Sequence, residues 1–167
     1  NLSNKIFFDD DYSYSTSNDD FFIYKDNLGK LKLPMPNVLG QFQLENISTA
    51  IATLRTLDFD INNECFQRGI TKISSLGRLQ EIKSGKLKQM VKKNKLIVDG
   101  SHNEAGARAL NKYLQNLDCR KHIVIGMMAN KQHEKYISYF KNISSVTTVD
   151  IPNQPNSIKG IELKKKF

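Results

Sequence analysis

The stretch Leu96-Ile97-Val98-Asp99-Gly100-Ser101-His102-Asn103-Glu104 constrains this chain more than any other. A short apolar run ends in a carboxylate, turns through glycine and enters a helical pattern, which reads as a strand-to-helix connection. Ser101 and Glu104 have the spacing of a capping box, the hydroxyl accepting a backbone N–H and the carboxylate reaching back. Ala107, Leu110, Leu114 and Leu117 then recur on one helical face. In an open α/β sheet such a turn lies at the carboxyl edge, where ligands bind. Asp99, His102 and Asn103 are therefore candidate polar groups over a cleft. Taken alone, these residues equally fit a structural turn, since glycine permits unusual dihedrals and Asp or Ser satisfies loose N–H groups.

The chain around this turn has a consistent rhythm. Upstream, residues 1–33 read as β-structure. Ile6-Phe7-Phe8 and Phe21-Phe22-Ile23-Tyr24 are strand candidates, and Asp26-Asn27-Leu28-Gly29 is a hairpin turn returning through Lys30 to Leu33. Asp9, Asp10, Asp11, Asp19 and Asp20 lack the spacing and glycine of a calcium loop and read as a solvated loop. Pro34 and Pro36 stiffen a connector. A helix follows with Ile47, Ile51, Leu54 and Leu57 as its stripe, and by composition Asn46 is a cap or first-turn residue. A second helix runs from Asn63 to about Ile73, with Cys65 and Phe66 on its apolar face. Ser74 to Arg78 is a polar break, taken as a domain boundary that gives regions 1–75 and 76–167.

Downstream the order becomes strand, helix, strand, helix, strand. Leu79 to Ile82 is a short strand, a lysine-rich helix lies around Leu87 to Val91, and His122 to Met127 is a buried strand. Asn130 is placed to cap a helix bearing His133, Tyr136, Ile137 and Phe140, and Ser145 to Asp150 is a third strand. Apolar strands without strict alternation, interleaved with helices, mark a parallel α/β sheet. Gly126 to Lys131 then shares the sheet edge of Asp99 and His102, and Lys131 opposes the helix dipole unless an anion is near.

Composition excludes several classes. No apolar run approaches 18 residues, so no membrane helix is expected, and no signal peptide is visible. Cys65 and Cys119 are the two cysteines, a usage suited to a reducing cytosol and offering no metal knuckle. His102, His122 and His133 share no zinc spacing with them, and His133, on an apolar helix face, is read as a core or interface histidine. The net charge is +8, from 25 basic and 17 acidic residues. Lysine supplies 20 of the basic groups and arginine 5, and the densest basic stretch has neither the arginines nor the aromatic platforms that nucleic-acid readers use. The dense run Lys83, Lys86, Lys88, Lys92, Lys93 and Lys95 is accordingly read as a solvated face. Neither a G-x-x-x-x-G-K-[ST] loop nor a G-x-G-x-x-G turn occurs.

Three stretches go together: Leu39-Gly40-Gln41-Phe42-Gln43-Leu44-Glu45-Asn46, Gly77-Arg78-Leu79-Gln80, and Asp99-Gly100-Ser101-His102-Asn103 with its alanine-rich helix. Gly126 to Lys131 is a fourth, weaker match. In this order the chain resembles the C-terminal part of the folylpolyglutamate synthase/dihydrofolate synthase family, within the Mur-ligase superfamily. The resemblance implies an α/β fold, with the strand-and-helix end of a central ATPase domain preceding a Rossmann-like, mostly parallel C-terminal domain. It implies an ATP-dependent ligase, cytoplasmic and monomeric, that adds L-glutamate to dihydropteroate or a folate with Mg²⁺ through an acyl phosphate. It places Asn46 at adenine, Arg78 at the phosphates, Asp99 and His102 at the nucleotide, and Lys131 near the substrates. Phe42, Asn130, Gln132 and Asn156 depart from the family pattern, at positions where it often carries histidine, acidic and basic residues. A family glycine-rich loop and metal-site lysine would lie upstream of residue 1, so the isolated chain is expected to be inactive. Another Mur-type amino-acid ligase and a non-enzymatic α/β interaction module are the alternatives.

Overall fold

The computed structural model describes residues 5–17, 20–57 and 59–167; Asp19 of the aspartate loop lies outside them. The chain divides into two compact units, one ending at Ile97 and the other spanning Val98–Phe167.

The first unit is built on a three-stranded antiparallel meander, β1 (Tyr12–Ser17), β2 (Phe21–Asp26) and β3 (Gly29–Pro34). Alternation dictates its buried face: Phe22, Tyr24, Leu31 and Leu33 are buried, while Phe21, Lys25, Lys30 and Lys32 are exposed. The hairpin turn falls where the sequence places it, with Asp26 opposite Gly29 and the Asp26 carboxylate accepting the Leu28 N–H at 2.9 Å. Ile6 to Phe8 is not a strand, since only a single bridge from Phe8 to Tyr12 forms there. Pro34 closes β3, paired with Phe21, rather than starting the connector.

Two helices cover the meander, α1 (Gln41–Thr56) and α2 (Asn63–Thr71). Leu44, Ile47, Ile51 and Ala52 of α1 and Phe66 and Ile70 of α2 join the core, each large side chain contributing about 1.5–3 kcal/mol of burial. Leu54 and Leu57 are exposed, so the stripe is shorter than its spacing implies. Cys65, expected in the core, is also exposed, because the buried face of α2 runs through Phe66 and Ile70. Gly40 sets the start of α1: its φ of 94° suits glycine, and a Cβ there would lie 2.6 Å from the Phe42 ring and 2.7 Å from Leu79 Cδ1. Asn46 consequently sits in the second turn of α1 and is neither a cap nor a first-turn residue.

The unit continues through β4 (Gln80–Glu81) and α3 (Lys86–Val91) to β5 (Ile97–Val98), which pairs with β4. In the second unit α4 (Glu104–Gln115), β6 (His122–Ile125), α5 (His133–Ile137), β7 (Ser145–Thr148) and α6 (Gly160–Lys164) follow in order. The parallel reading holds for β6 and β7, whose register runs from His122 opposite Ser145 to Ile125 opposite Thr148. The sheet is smaller than expected: among the described residues β6 has only β7 as a ladder partner, and β5 belongs to a separate pair. The fold is thus α/β with mixed sheets. Nor is β6 a buried strand; Ile123 and Ile125 are half-buried while Val124 is 71% exposed, so one face alone is covered. Ala107, Met127, Tyr136, Ile158 and Leu163 form the core of this unit.

A largely buried ion pair ties helix to sheet in the first unit. Arg55, in the last turn of α1, grips Asp26 with Nε at 2.7 Å and Nη2 at 3.1 Å, and the Tyr24 hydroxyl donates to the same carboxylate. The side chains of Arg55 and Asp26 are 15% and 8% exposed. Asp26→Ala leaves the guanidinium and the phenol without their acceptor and is expected to cost about 3 kcal/mol of stability. Urea unfolding of the chain measures it.

Candidate functional site

The turn after β5 is secured by its own side chains. Asp99 Oδ1 accepts the Ser101 N–H at 2.8 Å, and Asn103 Oδ1 accepts the Gly106 N–H at 2.8 Å. Asn103 is therefore the N-cap of α4, and the capping box expected of Ser101 and Glu104 does not form. Ser101 is drawn elsewhere: its hydroxyl lies 2.8 Å from that of Tyr136, a residue only 4% exposed on α5. Burial pushes the Tyr136 phenol above its ordinary pKa, with the Ser101 hydrogen bond opposing. Gly106 makes this fold-back sterically feasible, since a Cβ there would stand 2.6 Å from Ser101 Cβ.

Glu104 turns outward, because richer donors lie across from it than behind it. It pairs with Lys135 of α5, accepts the Tyr139 hydroxyl, and meets Arg108 one turn on at 3.3 Å. Lys135 and Tyr139 are the main causes that hold its carboxyl down at about 2. The cluster links the start of α4 to α5.

His102, Asn103, Arg108, Asn130, Lys131 and Lys135 line a cleft of about 560 Å³ in this unit, with Glu104 in its wall. His102 is exposed, and its Nδ1 lies 3.0 Å from the Gly100 carbonyl. A carbonyl only accepts, so Nδ1 is the donor in this contact, and Nε2 takes no part in it. Lys131 is half-buried in the turn before α5. Its carbonyl accepts the His133 N–H at 3.0 Å, and buried His133 donates from Nε2 to the Met128 carbonyl at 2.9 Å. The core placement of His133 is thus correct. Asn130 is not the helix cap, since α5 starts at His133 after Gln132, whose side chain makes no cap bond.

The structure brings His102 and Lys131 together in one cleft, with Asp99 shaping the turn that presents His102. Asn46 and Arg78 belong to the first unit. The exposed Asn46 amide donates to Gln43 Oε1 at 3.3 Å, and buried Gln43 donates in turn to Ser75 Oγ at 3.1 Å. The Ser75 carbonyl accepts the Arg78 N–H at 3.3 Å. A continuous run of hydrogen bonds therefore joins Asn46 to the turn of Arg78. Asn46 also borders an apolar groove of about 600 Å³ between α1 and α2, walled by Ile47, Ile51, Phe66 and Ile70. Leu79, beside Arg78, is 1% exposed with φ 46°, a left-handed conformation unusual for leucine and held by tight packing.

Sequence reasoning missed Glu104, Lys135, Tyr139 and Arg108 as a cluster. The spacing of Glu104 to Arg108 and of Lys135 to Tyr139, each i to i+4, was the available signal. Among the described residues no group of three His, Cys, Asp or Glu could hold a metal ion. No helix among them is long and apolar enough to cross a membrane.

Two outcomes follow from the turn. Gly106→Ala, favoured by helix propensity alone, is expected to destabilise the chain by about 1–2 kcal/mol through the clash with Ser101, read by urea unfolding. Because the Glu104 pKa is depressed in the folded state, its stabilisation is complete above its ordinary value of 4.5 and fades as pH falls toward about 2. Thermal unfolding across that window is expected to show a shallower acid loss in Glu104→Gln than in the parent sequence.

No protein-family model matches the chain. It is 26% identical over 112 residues, 66% of its length, to a probable bifunctional folylpolyglutamate synthase/dihydropteroate synthase of Haloferax volcanii, of which it spans 12%. Its fold matches Escherichia coli FolC in complex with DHPP and ADP, at a TM-score of 0.80 and 23% identity over 95% of the chain and 36% of that structure. A bifunctional folylpolyglutamate synthase/dihydrofolate synthase with Mn, AMPPNP and L-glutamate bound matches at a TM-score of 0.78 and 22% identity. That match covers 96% of this chain and 36% of the other. The chain thus spans about a third of the solved structures it resembles, and the resemblance to this ligase family read from three short motifs is met by their fold along nearly its whole length.

Proposed function

We propose that this chain is part of an ATP-dependent ligase that joins L-glutamate to dihydropteroate or a folate in the cytoplasm. The observation that carries the reading is the cleft holding His102 and Lys131, in a chain whose fold is that of a protein bound to DHPP and ADP. The cleft walls carry Arg108, Lys131 and Lys135 against the single carboxylate of Glu104, a balance that suits anionic substrates. In this reading a substrate carboxylate takes the terminal phosphoryl group of ATP, ADP leaves, the L-glutamate amine attacks the acyl carbon, and phosphate departs. Lys131 offsets negative charge on the acyl phosphate, and His102 offers Nε2 to a polar group of the substrate. Asn46 presents its amide to adenine, and Arg78 neutralises phosphate. Asp99 acts by holding the turn that presents His102.

The test is ADP release by the full-length ligase with ATP, Mg²⁺ and L-glutamate, adding dihydropteroate or tetrahydrofolate in separate reactions. Release dependent on either acceptor supports the proposal. Silence with both, or stimulation by a nucleotide-linked peptide, overturns it in favour of a different amide ligase. His102→Ala and Lys131→Ala are each expected to lower kcat/KM by about 10²-fold without moving the unfolding midpoint, the scale of losing one preorganised polar contact. The 167-residue chain alone is expected to release no ADP above a protein-free control.

A further inference from the structure

The lysine-rich segment from Lys83 to Lys95 is absorbed by neither unit core nor by the proposed ligase site. It carries six lysines and no acidic residue in thirteen positions. Lys88 is spent locally, its Nζ donating to the carbonyls of Lys92 and Asn94 at the end of α3. Lys83, Lys86, Lys92, Lys93 and Lys95 are exposed. Among them project Leu87, 65% exposed, and Met90, 76% exposed, three residues apart on the same helix. No residue of α3 is buried, so these side chains are not held out by packing on the far face.

We propose that α3 is a docking face for an anionic lipid surface. Charge complementarity selects the partner: five outward lysines act as point charges that suit a diffuse negative surface. The segment has no arginine and no aromatic residue, the side chains that read phosphodiester backbones and bases. Shape separates a bilayer from a folded acidic protein. Leu87 and Met90 are exposed on the helix, and exposed apolar groups interspersed in sequence with lysines fit a soft headgroup layer that admits them. The contact is peripheral, as one short helix with two apolar side chains cannot span or anchor irreversibly.

Leu87→Trp supplies the probe, because the chain contains no tryptophan. With vesicles of phosphatidylcholine and phosphatidylglycerol, its emission is expected to shift to the blue and the chain to co-sediment, both declining as salt rises. Vesicles of phosphatidylcholine alone are expected to give neither. Without the probe, Lys86→Gln with Lys93→Gln is expected to lower partitioning about 20-fold, and Leu87→Ser with Met90→Ser about tenfold. The unfolding midpoint of each is expected to hold, since the replaced side chains are exposed. The proposal is overturned by equal binding to both vesicle types, by binding that survives both double variants, or by binding to duplex DNA tighter than to phosphatidylglycerol vesicles.

Discussion

A strand that gives way to a helix within five residues must satisfy backbone N–H groups that neither element can use. Here Asp99 takes the Ser101 N–H and Asn103 takes the Gly106 N–H, so two short carboxyl and amide side chains do the work inside the turn itself. The consequence is spatial. Ser101 is freed to meet Tyr136, Glu104 is freed to meet Lys135 and Tyr139, and exposed His102 spends only its Nδ1 on the turn. Had Ser101 and Glu104 formed the capping box their spacing allows, both would have been consumed locally. The cleft would then have lost its tie to α5.

Much of the local structure was legible because it depends on neighbours in sequence. The hairpin at Asp26 to Gly29, the α2 start at Asn62–Asn63, the β6–β7 parallel pair and the packing of His133 all follow from turn chemistry or periodicity. The failures share a cause. The reading of Asn46 as a cap was overridden by Gly40, whose positive φ starts α1 six residues earlier. Cys65 and Leu57 look buried by spacing, yet the faces actually covered are set by where β1 and β3 lie, which the spacing of one helix does not record. Val124 reads as core because a run of β-branched residues carries no information about how many faces of a sheet are covered.

The candidate site was legible in its turns and illegible in its walls. His102 and Lys131 lie 29 positions apart, and it is the two flanking turns, each with a distinct polar signature, that announce them. Arg108 and Lys135 carry no such signature; a cation on an exposed helix is the commonest surface residue, and only the position of Glu104 gives these two a place. The same limit applies to Gln43. Its burial, with bonds to Asn46 and to Ser75, makes this glutamine of the first motif the bridge from Asn46 to the turn that carries Arg78.

Electrostatics within the cleft follow from this division of labour. Lys135 and Arg108 share Glu104, and the carboxylate is held ionised through the physiological range by them and by the Tyr139 hydroxyl. Their charges are partly answered before any ligand arrives. Lys131 forms no ion pair among the described residues, and its half-buried position in the braced turn from Met128 to His133 limits the water that can answer for it. In the proposed reading, an anion entering the cleft gains most from Lys131, whereas Arg108 and Lys135 supply field without surrendering their existing partner. A fixed scaffold pair beside one uncommitted cation discriminates by position, because the strong contact is available at a single point on the wall. In that reading the rigidity of the two turns, rather than the total of positive charge, is the property on which selective binding would rest.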